Sequence, residues 1–240
     1  MKIIGSLFER INLFLKGYSK GVSVAYLSKS QLGVAKDLEE LLAKSGDFSR
    51  ELLDHFGDGR KVYLETIEDV KIKVASESWN AEMNLCILLF SLIRVNRPQI
   101  VVETGVANGI TTRVIMSALS EYGGHLHSFD ILAAASRVYT GNGNWYFHLL
   151  SNGGAAKEIN LAVEELPEID MWVHDSNHGS TWQEFEYRLA ISKLSKSGIL
   201  VSDDIDASPA WAKVSSEILK NPWAIFDARK VIGIAHKKII

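Results

Sequence analysis

From Trp79 onward the chain repeats one pattern, an apolar helix followed by a short β-branched strand and a turn. Asn84 to Arg94 reads as a buried helix stopped by Arg97-Pro98, and Ile100-Val101-Val102 as the strand after it. Ile110 to Ser120 is the next helix, and Leu126 to Phe129 and Trp145 to Leu150 the next strands. Ala155 to Leu166 (helix), Met171-Trp172-Val173 (strand), Trp182 to Leu194 (helix) and Ile199-Leu200-Val201 (strand) continue the series. Strands that are apolar on every residue must be covered on both faces, and parallel neighbours need long crossovers, which the helices supply. The pattern therefore predicts an α/β fold with a doubly wound, mostly parallel sheet. Trp223 to Asp227 and Val231 to His236 stand too close for a crossover and predict an antiparallel hairpin on the sheet edge, making seven strands.

Residues 1–78 read differently and are expected to form an N-terminal helical extension that serves as a lid or makes substrate or oligomer contacts, with the main domain spanning 79–240. Val34 to Lys44 and Phe48 to Phe56 carry helical spacing, separated by polar breaks at Gly46-Asp47 and Gly57-Asp58-Gly59. Ile4, Phe8, Ile11 and Leu15 recur as one apolar helix face, compatible with packing on the same chain or in a homodimer. Glu9 and Arg10 interrupt any signal-peptide core, and the apolar run Leu85 to Ile93 is too short to cross a bilayer. Cys86 is the sole cysteine, which rules out a disulfide scaffold. With 26 basic against 29 acidic residues the net charge is −3, unlike a basic nucleic-acid binder. These features predict a soluble cytoplasmic protein with no nucleic-acid partner and no membrane insertion.

The first strand of the regular part runs into Glu103-Thr104-Gly105-Val106-Ala107-Asn108-Gly109. A glycine turn between strand and helix lets a ligand approach the backbone at the carboxyl edge of an open sheet. The spacing Gly105-x-x-x-Gly109 is not that of a dinucleotide pyrophosphate loop, and Glu103 would repel a pyrophosphate while suiting an ammonium group. Asp130 closes the next strand, where a carboxylate accepts hydrogen bonds from both hydroxyls of a ribose. An ammonium and a ribose in one crevice describe S-adenosylmethionine.

The fourth strand exits into His174-Asp175-Ser176-Asn177-His178, and the fifth into Ser202-Asp203-Asp204-Ile205-Asp206. In a parallel sheet these exits lie side by side, so Asp175, Asp203 and Asp204 are expected to converge. Three adjacent carboxylates repel unless a cation or protons compensate them, and an all-oxygen site suits Mg²⁺, with Ca²⁺ or Mn²⁺ as alternatives. The competing reading has Asp203 and Asp204 capping a helix near Ala207 and facing solvent. His178 is a candidate general base, because its ordinary pKa of about 6.5 lets it take a hydroxyl proton. His174 reads as a loop residue. His55, His125, His127, His148 and His236 show no ligand spacing. Most tryptophans read as core, with Trp182 a candidate pocket wall.

Residues 79–206 resemble the class I S-adenosylmethionine-dependent O-methyltransferases, especially methyltransferase family 24 and enzymes of the catechol and caffeoyl-coenzyme A type. The resemblance implies a Rossmann-like sheet with cofactor contacts at Glu103, Gly105, Gly109, Thr111 and Asp130. It places Thr111 near the methionine carboxylate and Ser151-Asn152 near the adenine. Relatives commonly show Asp-Gly-Asp-His where this chain has Asp175-Ser176-Asn177-His178, and an Asp-Asn pair where it has Asp203-Asp204. The expected activity is methyl transfer to a hydroxyl of a small molecule, with Asp175 or His178 receiving the proton and a metal at Asp175, Asp203 and Asp204. A cephalosporin hydroxylase-like metal enzyme and a non-catalytic cofactor-binding module are the rival readings. Substrate identity is assigned to residues 1–78 and the Ala133 to Asn144 loop, which carry no readable motif.

Overall fold

A computed structural model describes residues 32–70 and 73–238, and the helical pattern at Ile4, Phe8, Ile11 and Leu15 lies outside them. The strands are β1 (Gly33–Ala35), β2 (Ile100–Thr104), β3 (His125–Asp130), β4 (Asn144–Leu149), β5 (Ile169–His174), β6 (Leu194–Ser202), β7 (Leu219–Phe226) and β8 (Val231–Lys237). The helices are α1 (Leu38–Lys44), α2 (Phe56–Glu68), α3 (Met83–Asn96), α4 (Ile110–Leu119), α5 (Ala155–Glu164), α6 (Ser180–Lys193) and α7 (Ala210–Ile218). One sheet results, ordered β1-β7-β8-β6-β5-β2-β3-β4. Strands β6, β5, β2, β3 and β4 pair in parallel, whereas β8 pairs antiparallel with both β6 and β7.

Alternation along each strand sorts the core into two layers, because successive side chains point to opposite faces. Val101, Met171, Val173, Ile199 and Val201 pack with α1, α3 and α4. Val102, Trp172 and Leu200 pack with α5, α6 and α7 on the other side. Helix α3 is buried along Leu85 to Ile93, which explains its lack of a polar stripe, and it ends where Arg97 turns left-handed at φ 48° before Pro98.

Three expectations are corrected. The hairpin is not at the edge: β1 pairs in parallel with β7 outside it, giving eight strands among the described residues. The helical pattern of Val34 to Lys44 begins later than its spacing implies, because Gly33–Ala35 form β1 and the helix starts at Leu38. Asp37 caps that helix, accepting from the Glu40 amide at 2.8 Å, so the three residues before Lys36 are free to extend. Gly33 suits this strand because the Trp223 ring occupies the place of a Cβ, at 2.5 Å. Finally, Gly57-Asp58-Gly59 is no break but the first turn of α2, where Gly59 lets the helix approach the backbone of Ile87 on α3, 3.2 Å from a would-be Cβ.

The chain leaves β2 toward β3 and β4 on one side and returns to β5 on the other. Such a switch of direction parts the loops at the carboxyl edge and opens a crevice there. Register brings the strand ends level, with Thr104 opposite His174 and His174 opposite Ser202.

Candidate active site

The backbone ladder runs one residue past each strand and delivers the site. The Asp175 amide donates to the Thr104 carbonyl at 2.8 Å, and the Asp203 amide to the His174 carbonyl at 2.8 Å. Gly105 (φ 84°), Ala107 (φ 46°) and Gly109 (φ 75°) are all left-handed, so the turn coils tightly into α4. A Cβ on Gly105 would stand 2.0 Å from the Asp175 carbonyl oxygen, so only glycine lets the two loops touch. The resulting crevice is lined by Val106, Ala107, Thr111 and Asp175 and roofed by Trp79, Asn80 and Ala81.

The structure brings the expected cofactor residues together but changes the part some of them play. Glu103 does not face the crevice; it is fully buried beneath the turn. Its Oε2 accepts from Thr112 at 2.7 Å and from Ser128 at 2.6 Å, while Oε1 is buried without a partner. Burial raises its pKa, opposed by hydrogen bonds from Ser128, Thr111 and Thr112. Asp130 accepts from the amides of Val106 and Ala107 through Oδ2 (2.8 and 2.9 Å) and from Leu132 through Oδ1 (2.7 Å). It therefore shapes the glycine turn as well as closing β3. Ser151 is exposed, and its hydroxyl is bonded to Glu158 Oε1 at 2.5 Å.

Asn108 is a residue whose role sequence reasoning missed. Its Oδ1 accepts from the amides of Val74 (2.8 Å) and Ala75 (2.9 Å), and its Nδ2 donates to Ala75 O and Asn80 Oδ1. The strap from Val74 to Asn80 is thereby fastened over the turn, with Trp79 at the mouth, 59% exposed. An asparagine inside a glycine turn gave no sign that it would reach a segment 30 residues earlier.

The carboxylates converge as expected. His178 Nε2 lies 3.8 Å from Asp175 Oδ1 and 3.6 Å from Asp204 Oδ2. Asp204 is left-handed at φ 45°, strain of the sort that gathers at functional sites. Asp203 is buried, not solvent-facing, so the helix-capping reading fails for it. The expected compensating cation is a divalent metal; in the structure Lys230 enters the cluster instead. Its ammonium contacts Asp203 Oδ2 and lies 3.3 Å from Asp204 Oδ2. Burial pushes Asp203 up to about 6, opposed chiefly by the Lys230 charge; burial and the Asp203 charge raise Asp175 well above the carboxylate range. Among the described residues no three His, Cys, Asp or Glu side chains are arranged to ligate one ion. With an ammonium already between the carboxylates, these residues do not fit a divalent cation as they stand.

His174 is not a loop residue. It ends β5 fully buried, and its Nδ1 contacts Glu186 of α6. The same Glu186 oxygen accepts from Thr104 at 3.3 Å and Ser176 at 2.7 Å, and Trp182 donates to Ser176 at 2.9 Å. This network fixes the Asp175 loop from below.

Among known proteins, residues 102–205 match the family model described as a methyltransferase domain, family 24. That stretch is similar to a methyltransferase domain. No curated protein matches the sequence. Among solved structures, SAH-bound PaMTH1, a methyltransferase from Podospora anserina, is 13% identical, with a TM-score of 0.52 over 82% of this chain and 92% of its own. A putative caffeoyl-CoA O-methyltransferase from Staphylococcus aureus is 13% identical, with a TM-score of 0.52 over 83% of this chain and 97% of its own. The mycinamycin-pathway methyltransferase MycE, in complex with Mg, SAH and mycinamycin VI, is 12% identical, with a TM-score of 0.56 over 83% of this chain and 57% of its own. At such identities the likeness establishes a shared methyltransferase fold. No helix among the described residues is long and apolar enough to cross a membrane.

Proposed function

We propose that this methyltransferase uses S-adenosylmethionine to methylate a hydroxyl of a small molecule, with His178 as the general base. The observation that carries the reading is the place of His178, between Asp204 and Asp175, the latter a residue that lines the crevice. When bound, S-adenosylmethionine supplies an electrophilic sulfonium methyl. The left-handed turn from Gly105 to Gly109 admits it against backbone, and Asp130, still able to accept on its outer lone pairs, would hold its ribose. Thr111, on the crevice wall, would meet its amino-acid end. The flanking carboxylates favour the imidazolium that forms as His178 takes the hydroxyl proton. Alignment of oxygen and methyl is then the main remaining requirement.

The S-adenosyl compounds named for the neighbouring structures support the choice of cofactor, and the caffeoyl-CoA and mycinamycin names support a small hydroxylated acceptor. Methyl-labelled cofactor incubated with matched hydroxyl and amine panels tests the reading. Label should pass to hydroxyls, and His178→Ala should remove most of it, a loss of about 10²–10⁴-fold. Transfer to amines alone, or full activity in His178→Ala, would refute it.

A further inference from the structure

The Ala228-Arg229-Lys230 turn lies far along the chain from the loops after β5 and β6, and nothing in the methyltransferase match, which ends at residue 205, covers it. Yet the turn is pinned to the site on both sides. Asp227 accepts from the Leu85 amide at 3.0 Å, and the Arg229 amide donates to Glu82 at 2.6 Å. The Val231 amide donates to Asp206 at 3.1 Å, and the Ile205 amide to the Val231 carbonyl at 3.0 Å. Lys230 is therefore delivered inward by a fixed backbone, and its side chain is only 7% exposed. A lysine on a loose turn would keep its head in water; this one points its head into three carboxylates.

We propose that the Lys230 ammonium is the resident cation of the Asp175/Asp203/Asp204 cluster, holding those carboxylates in place around His178 so that the site works without a divalent ion. An ammonium is a compact point charge with three N–H donors, able to bridge two carboxylates as a hard cation would. The contact with Asp203 and the 3.3 Å approach to Asp204 put that charge between the two residues that, with Asp175, would have to supply the metal's oxygens. A divalent ion entering the same space would meet a positive charge within a few ångströms, in surroundings too buried to screen it. Lys230 is a positioning residue in this account. It acts through Asp204 on His178, and the inference rests on the proposed site while its test does not.

The test is Mn²⁺ binding to the full chain, followed by titration calorimetry and electron paramagnetic resonance, with thermal midpoints measured in Mn²⁺ and in EDTA. Wild type should take up no Mn²⁺ at this site and melt at the same temperature in both. Lys230→Ala, which empties the cation position, should bind Mn²⁺ at least about tenfold more tightly than wild type and gain an EDTA-reversible rise in midpoint. Lys230→Arg should remain indifferent to the metal. EDTA-reversible Mn²⁺ uptake by wild type, lost in Asp203→Asn, overturns the proposal, and needs no Lys230 variant to do so. A folded Lys230→Ala chain that binds Mn²⁺ no better than wild type overturns it as well. These readouts need no methyl acceptor. Failure of methyl transfer with metal indifference intact would therefore count against the proposed reaction and leave the role of Lys230 standing.

Discussion

Asn108→Ala should unfasten the strap over the crevice without unfolding the sheet. The side chain makes four hydrogen bonds, two accepted from the Val74 and Ala75 amides and two donated, to Ala75 O and Asn80 Oδ1. Alanine leaves two amides and two acceptors to find water, and Asn108 itself is 2% exposed, so rehydration is incomplete. Taking about 1 kcal/mol for each orphaned amide gives a local cost of about 2 kcal/mol, with the lost donors adding less. Two kilocalories correspond to about 30-fold faster opening of residues 73–81, read by hydrogen exchange at the Val74 and Ala75 amides. Asn108→Asp keeps the acceptor and loses the donor, so its exchange should rise by a smaller factor. Strain differences at the turn do not confuse the result, because Asn108 itself is not among the left-handed residues. Unchanged exchange at Val74 and Ala75 in a folded Asn108→Ala chain would show that other contacts hold the strap.

Three further outcomes follow from the same geometry. Gly105→Ala forces a Cβ to 2.0 Å from the Asp175 carbonyl at φ 84°, and should cost at least about 2 kcal/mol in urea unfolding; tolerance of alanine would mean the loops do not touch. His127 is pushed down to about 4 by burial and by its neighbours His148 and His125, with its Nδ1 3.1 Å from His148 Nε2. The unfolded chain then binds a proton that the native state refuses. Stability from this group is present above pH 6.5 and is lost as the pH falls toward 4. Asp203, raised to about 6, acts with the opposite sign, so the quantity to measure is the wild-type minus His127→Gln difference across that range. A difference independent of pH would refute the buried neutral pair. Trp211→Ala, removing a fully buried ring from beneath Gly233, should cost about 3–5 kcal/mol by thermal melting, and a loss under 1 kcal/mol would mean the packing there is wrong.

The parallel sheet was legible because Ile100-Val101-Val102, Met171-Trp172-Val173 and Ile199-Leu200-Val201 are apolar throughout and separated by crossover-length helices. Convergence of Asp175, Asp203 and Asp204 followed from that topology alone. Three-residue β1 was not legible: so short a segment carries no period of its own, and its neighbours on α1 lent it theirs. The helix at Gly57-Asp58-Gly59 was hidden because glycine near a helix start signals a break in sequence but serves close packing against α3 in space. Asn108 and Lys230 act across 28 to 34 and 26 to 27 residues respectively, and no local pattern encodes such contacts. Glu103 was placed at the right strand end but on the wrong side of the turn. Strand position tells which edge a residue reaches, while burial depends on how Thr112 and Ser128 close over it.

The central claim is that the crevice between β2, β3 and β5 binds S-adenosylmethionine through the Gly105 to Gly109 turn and Asp130. Titration calorimetry of S-adenosylhomocysteine, compared between wild type and Asp130→Asn, tests it most directly. One-to-one binding should appear in wild type and weaken in the variant by about 1.5–3 kcal/mol, the worth of hydrogen bonds to a charged acceptor. Asparagine keeps an acceptor for the Val106 and Ala107 amides, so the turn should survive and the loss should report on the ribose contact. No binding by wild type, or equal binding by a folded Asp130→Asn chain, would contradict the account.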